Sequence, residues 1–277
     1  MKLLNIKGRL LSLDKPVVMG ILNVTPDSFF AGSRQQNETA VTERIKTIIA
    51  EGGAIVDVGG YSTRPDAAEV NPGEEWRRLE PVLNLLKADY SEIPVSVDTF
   101  RADIAKRAVR EYGVSMINDI SGGAMDEKMF ETVAELNVPY VLMHIRGTPQ
   151  TMQQHTDYNL FQEDVMLYFA EKLRTLRLLG VNDVILDPGF GFSKTLEQNY
   201  ELMRYLPDFA RLFDCPLMVG VSRKRMIYNL LGCTADESLN GTTVLNTYSL
   251  LHGADILRVH DVRAAVEAVK LVDKLKC

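Results

Sequence analysis

The chain has 277 residues, 46% of them hydrophobic and 25% charged, with a formal net charge of −6. This is enough apolar material for one large core or two small ones. The acidic balance and the lack of any Lys/Arg run exclude a nucleic-acid tract, and no stretch approaches the ~20 apolar residues of a membrane span.

Cys215, Cys233 and Cys277 are an odd number at unrelated spacings. They suggest neither a zinc motif nor a disulfide framework, which fits a reducing cytoplasm. The opening MKLLNIKGRLLSLDKP is too broken for a signal peptide, so a cytoplasmic protein is expected.

In chain order, Leu3 to Leu13 reads as a hairpin turning near Gly8. Eight short apolar runs follow: Val17–Asn23, Ala54–Gly60, Pro94–Thr99, Met116–Ile120, Tyr140–Ile145, Val184–Gly189, Pro216–Ser222 and Ile256–Asp261. They recur roughly every 34 residues, the length of a strand, a helix and two loops. Between them, Glu38–Glu51, Glu74–Leu86, Arg101–Tyr112, Asp126–Leu136, Phe161–Leu179 and Val262–Leu275 carry apolar residues at helical spacing. Gly180 stands where a helix stop belongs. No linker or low-complexity stretch divides the series.

Eight alternations predict a parallel sheet sheathed in helices. At this length a single (β/α)8 barrel over residues 1–277 is expected, its bottom closed by the hairpin within residues 1–15. The alternative is a doubly wound open sheet, but no GxGxxG follows the first strand.

The strand ends carry Asn23, Asp57, Asp98, Asn118, His144, Asp187, Ser222 with Lys224, and Arg258 with His260. In a parallel barrel those ends form the active-site face. Each residue alone could be a helix cap or a core hydrogen bond; a polar residue at every strand end argues for a site. Val184 to Leu186 ends on Asp187, and Gly189 and Gly191 beyond it let the main chain approach a ligand. Asp98, Asn118 and Asp187 are acceptor-rich and suit a flat heterocycle with several N–H donors. Lys224, Arg258 and His260 follow the last two strands, the usual phosphate position. An Arg inside the apolar run ILRVH is expensive to bury idly. NVTPDSFF (23–30) and YSTRPD (61–66) are expected to be mobile covers. His144, His155 and His252 read as structural or surface residues, and no HExxH motif suggests zinc.

GILNVTPDSF, STRP, VSVDT, INDISGG, MHIRGTPQTMQ, DPGFGFSKT, GVSRKRM and HGADILRVHDV occur in this order from Gly20 to Val262. Together they resemble the dihydropteroate synthase family of folate biosynthesis. The resemblance implies joining of a dihydropterin-CH2-pyrophosphate to the amine of p-aminobenzoate, with release of pyrophosphate and help from Mg2+. It implies a pterin site of Asp98, Asn118, Met143, Asp187, Phe192, Gly220, Lys224 and Arg258. Asn23, Arg258 and His260 would hold pyrophosphate, and Asn23 the Mg2+. Pro26, Phe29, Thr63, Arg64, Pro65, Ser222 and Lys224 would form the p-aminobenzoate region. Asp27, Arg64, Asp98 and Lys224 would be the catalytic set. Family members are commonly homodimers and sulfonamide targets.

Tyr61 and Asp66 depart from the family's usual Glu and Gly around STRP, which leaves the shape of the second loop open. The competing readings are a methyl-tetrahydrofolate-binding methyltransferase domain and a non-catalytic pterin-binding module. The first has no use for the anion residues, and the second predicts broken ones, whereas Asn23, Asp27, Arg64, Lys224, Arg258 and His260 all stand.

Overall fold

A computed structural model describes residues 2–24, 34–61 and 70–275. Two short strands, β1 (Leu3–Ile6) and β2 (Arg9–Ser12), pair antiparallel across the two-residue turn Lys7–Gly8. Both turn residues have positive φ, 52° and 83°, the left-handed geometry that matches the twist of a tight hairpin.

Eight parallel strands follow. They are β3 (Val17–Asn23), β4 (Ile55–Gly59), β5 (Val95–Asp98), β6 (Met116–Asp119), β7 (Tyr140–Met143), β8 (Val184–Asp187), β9 (Met218–Val219) and β10 (Ile256–Val259). Their hydrogen-bonded order is β8-β7-β6-β5-β4-β3-β10-β9. A parallel bridge from Leu186 to Leu217, just before β9, joins the two ends. The sheet is therefore the expected barrel and not an open, doubly wound sheet.

Helices α1 (Arg34–Ala50), α2 (Pro72–Asp89), α3 (Ala102–Tyr112), α4 (Met129–Leu136) and α5 (Phe161–Leu178) fall where the apolar spacing predicts them. So does α10 (Val262–Leu275). Four others were not read from the sequence: α6 (Leu196–Arg204), α7 (Leu206–Leu212), α8 (Arg225–Leu231) and α9 (Leu239–Leu251). The first three are only seven to nine residues long, and α9 buries Thr242, Asn246 and Ser249 while leaving Leu239, Val244 and Leu251 exposed, so its apolar residues do not mark its buried face.

Strand period decides what faces inward. Met19, Ile55, Met116, Val141, Ile185, Met218 and Ile256 form one buried layer near the amino ends of the strands. Leu4, Ile6 and Leu13 of the hairpin pack into this layer and plug the barrel bottom. Leu4 is fully buried there, so Leu4→Ala should cost ~2–5 kcal/mol. The alternate residues, such as Val56, Val97, Ile117, Leu142, Leu186 and Leu257, face the helices in the larger cluster. Two residues above the bottom layer the interior turns polar, at Asp57, Asn118, Asp187 and Arg258.

Candidate active site

The inward positions at the upper ends of the strands are Asp57, Asp98, Asn118, Met143, Asp187 and Arg258. Register places Asp98 beside Asn118 and Gly59, and Met143 beside Asp187. Arg258 is the hub of this layer. Its Nε donates to Asp57 Oδ2 and its Nη2 to Asp98 Oδ2, each at 2.7 Å. Asn118 Nδ2 also donates to Asp57 Oδ2, at 3.0 Å. Two carboxylates thus fix the guanidinium, and they offset the cost of burying a cation in a strand. Asp57 is among the polar strand ends of the sequence but not in the pterin set that the family resemblance implies. Its inward parity, shared with Asn118 and Asp187 on their own strands, is the signal that finds it.

The layer is acidic, with Asp57, Asp98 and Asp187 facing Arg258 and Lys224. Burial, with Asp57, Asp119 and Asp187 nearby, pushes the Asp98 carboxyl up to about 7 against the pull of Arg258. Burial also raises Asp187, with Lys224 opposing. Arg258 loses solvation on burial, yet Asp57 and Asp98 hold it above its ordinary range. Burial lowers Lys224 to about 8 despite the Asp187 carboxylate. Free protein near neutral pH therefore has groups poised to change charge when a ligand arrives.

Lys224 reaches the site from the start of α8. Its Nζ donates to the Phe190 carbonyl and sits 4.8 Å above the Phe192 ring. Phe192, Met143, Phe100, Ile120 and Tyr61 belong to an apolar cluster at this end of the barrel. Tyr61 stands edge-on to Phe100 with ring centroids 5.1 Å apart, and its hydroxyl accepts from Gln150 Nε2 at 2.8 Å. The Tyr61 departure thus builds apolar wall where the family's usual Glu would bring a charge. Gly220 follows β9; a Cβ there would meet Arg258 Cβ at an ordinary 3.8 Å, so contact alone does not demand glycine.

Neighbouring residues of opposite parity do structural work. Asp119 accepts from the amides of Ser121 and Gly123 and from the Tyr140 hydroxyl. His144 lies outside the barrel among Tyr158, Tyr168 and Phe169. Arg223 forks onto Asp261 with bonds of 2.9 and 2.7 Å and turns away from the site.

On the anion side, Ser222 Oγ accepts from the His260 amide at 3.1 Å and lies 3.1 Å from His260 Nδ1. Assigning the Ser222 O–H as the donor to Nδ1 uses both the donor and an acceptor site of the hydroxyl, and in this tautomer the imidazole proton is on Nε2. Burial, then Arg258, lowers His260 to about 4. His260 is thus a neutral N–H donor, and Ser222, expected at p-aminobenzoate, positions it. Arg44 holds the adjoining backbone, donating to the carbonyls of Ile21 and His260.

Asn23 ends β3, and its Oδ1 flanks Gly59 together with Asp98. A Cβ on Gly59 would lie 3.4 Å from Asn23 Oδ1 and 3.8 Å from Asp98 Oδ2. Among the described residues, no group of three His, Cys, Asp or Glu could hold a metal alone. A single amide oxygen nonetheless fits Mg2+, whose remaining positions are usually water and substrate phosphate. Pro26, Asp27, Phe29, Thr63, Arg64, Pro65 and Asp66, with the expected loop mobility, lie outside the described residues.

A parallel barrel whose upper layer sets carboxylates and an amide beside an arginine, a lysine and an apolar wall defines a barrel enzyme for a flat, donor-rich heterocycle next to an anion. Residues 19–260 match the family described as pterin binding enzyme. A dihydropteroate synthase of Synechocystis is 42% identical over 93% of this chain and 89% of its own length. A Yersinia pestis dihydropteroate synthase, solved with a sulfonamide drug, superposes with a TM-score of 0.91 at 35% identity, covering 99% of both chains. The Xanthomonas albilineans synthase with 4-aminobenzoic acid also gives 0.91, at 36% identity over 99% of this chain and 98% of that one. The chain belongs to the pterin-binding enzyme family and, within it, to the dihydropteroate synthases.

Proposed function

We propose that the protein condenses 6-hydroxymethyl-7,8-dihydropterin pyrophosphate with p-aminobenzoate, giving 7,8-dihydropteroate and pyrophosphate. The observation that carries this reading is the Arg258 hub, which joins the acceptor-rich layer of Asp57, Asp98 and Asn118 to the anion side at Ser222 and His260. A methyl-transfer domain would not need that second half.

Asp187 and Asn118 hold the donor edge of the pterin, and Met143 and Phe192 line its faces. A carboxylate facing an amidine-like edge makes paired, charge-assisted bonds. Arg258 bridges the ring and the pyrophosphate. The neutral His260 donates its Nε2–H to a phosphate oxygen, and Asn23 would hold Mg2+ against the same group. Bound Mg2+ supplies charge neutralisation for the departing pyrophosphate. The bond from the pterin methylene to oxygen breaks, and its electron pair leaves with pyrophosphate. Asp98 stabilises the positive charge left on the methylene. The arylamine nitrogen supplies the pair for the new C–N bond, and the resulting anilinium loses its proton to solvent. By the resemblance of NVTPDSF and STRP to the family's motifs, Thr63, Arg64, Pro65, Pro26 and Phe29 would contact the arylamine, with Asp27 and Arg64 assisting.

No helix among the described residues is long and apolar enough to cross a membrane. Cys215 and Cys233 are free thiols, in keeping with a cytoplasmic setting. We further propose a homodimer, because Leu239, Val244 and Leu251 on α9 and Leu271 and Leu275 on α10 are all exposed. Adjacent helices with this much outward apolar surface mark an interface. The direct test of function is chromatographic detection of dihydropteroate after incubation with both substrates and Mg2+. Pterin binding without product would leave a non-catalytic module.

A further inference from the structure

The loop from Pro188 to Thr195 carries the pterin-facing groups onward from β8, and its path is tightly bound. At Gly189, φ is +72° and a Cβ would stand 2.1 Å from the His144 carbonyl oxygen, so only glycine fits. The Gly191 amide donates to Asn199 Oδ1 at 2.6 Å. Ser193 Oγ accepts from the Arg146 amide at 2.8 Å and donates to the Arg146 carbonyl at 2.7 Å.

This coil turns the Gly189 and Phe192 carbonyls onto one point. Lys194 Nζ occupies it, 3.0 Å from Gly189 O, 2.9 Å from Phe192 O and 2.9 Å from His144 Nδ1. An ammonium has three donors, and these are three acceptors. Lys194 is 3% exposed, and no described carboxylate forms an ion pair with it. Burial holds both Lys194 and His144 well below their ordinary values. An unpaired buried cation is costly, and a leucine or methionine would fill the volume without that cost. The apolar replacement would strand the Phe192 carbonyl and leave the Gly189 carbonyl only its 3.1 Å bond from the Phe192 amide, so the hydrogen bonds account for the lysine.

The same residues lead to the ligand. Gly189, whose carbonyl Lys194 holds, donates its amide to Asp187 Oδ1 at 2.8 Å. Phe192, whose carbonyl Lys194 also holds, presents its ring to Lys224. We propose that Lys194 is a positioning residue of the pterin site, fixing the loop that aims Asp187 and Phe192 at the ligand. This rests on the pterin reading of that site. The charged and titratable groups around Asp187 and Lys194 are Lys224 before α8, Arg258 on β10, Asp98 on β5, and His144 and Arg146 after β7. The phenols of Tyr158 and Tyr168 complete the surround. Among these, Lys194 contributes positive charge that favours the ionised form of Asp187.

The test uses the full chain with Mg2+, pterin pyrophosphate and p-aminobenzoate, comparing wild type with Lys194→Met and Lys194→Gln. For the Met variant, KM for the pterin substrate should rise about tenfold or more, the scale of a displaced binding group. KM for p-aminobenzoate should hold steady. The acid limb of kcat/KM for the pterin should move to higher pH, because Asp187 has lost a nearby cation. Lys194→Gln, which keeps an amide donor, should recover part of the KM but not the limb. An active wild type with unaffected variants rejects the role of Lys194. So do equal losses on both substrates with an unmoved limb. Failure of both variants to fold makes Lys194 a stability residue and also rejects it. A wild type that releases no pyrophosphate rejects the functional reading, and this inference with it.

Discussion

Asp187→Asn is the sharpest perturbation of the pterin site. Asp187 is 5% exposed, and its Oδ1 accepts from the Gly189 amide at 2.8 Å. An asparagine there must keep its carbonyl oxygen on that amide, because the reverse flip would set an NH2 against an N–H. Its NH2 therefore faces the pocket, where the pterin presents donors of its own. A buried donor–donor mismatch in place of a charge-assisted bond costs ~2 kcal/mol or more. That corresponds to about 30-fold in Kd for 6-hydroxymethylpterin, read by titration calorimetry. A second readout comes from Lys224, which burial lowers to about 8 while Asp187 holds it up. Without the Asp187 charge, Lys224 should lose its proton at lower pH, and the alkaline limb of pterin binding should shift down with it. Unchanged pterin affinity with an unmoved alkaline limb would refute the placement of Asp187 against the ligand.

Arg258→Ala should weaken the pyrophosphorylated pterin more than the unphosphorylated one, and lower thermal stability by stranding Asp57 and Asp98; equal losses in calorimetry would leave the anion role unsupported. His260 has a folded value of about 4 against an ordinary 6.5, so the unfolded chain binds more protons between those values and this group costs stability as pH falls through them. His260→Gln should therefore lose less Tm than wild type between pH 6.5 and about 4 in a thermal melt; identical pH slopes would contradict a buried neutral imidazole. p-Aminobenzoate should bind weakly to free protein and more tightly once pterin, pyrophosphate and Mg2+ are present; tight binding to ligand-free protein would mean a preformed pocket. Light scattering should give twice the chain mass, and a monomer would remove the proposed α9–α10 interface.

Much of this was legible in the sequence because a barrel strand has period two. Ile185 and Asp187, Met116 and Asn118, and Ile256 and Arg258 read as apolar-below, polar-above pairs that the structure sets in successive inner layers. The same rule applied to Asp57 would have placed it in the site, and applied to His144 it would have sent that side chain outward. Lys194 was not legible. Its role depends on the path of a loop whose carbonyls converge only in three dimensions, and a lysine in GFSKT reads locally as a solvated side chain. Ser222 likewise sits where a substrate contact was expected, while its hydrogen bonds to His260 depend on β9 and β10 being neighbours. Of the four additional helices, α6 to α8 are too short for a helical period to stand out in the sequence, and α9 turns Thr242, Asn246 and Ser249 inward. Tyr61 looked like a departure in a loop, and becomes part of an apolar wall only through Phe100 and Gln150.

The most direct measurement is pyrophosphate release by the purified chain with Mg2+, pterin pyrophosphate and p-aminobenzoate, each omitted in turn. Release should require both substrates and match dihydropteroate one for one. A sulfonamide should compete with p-aminobenzoate. No release with all three present, or release that ignores p-aminobenzoate, would contradict a condensing synthase.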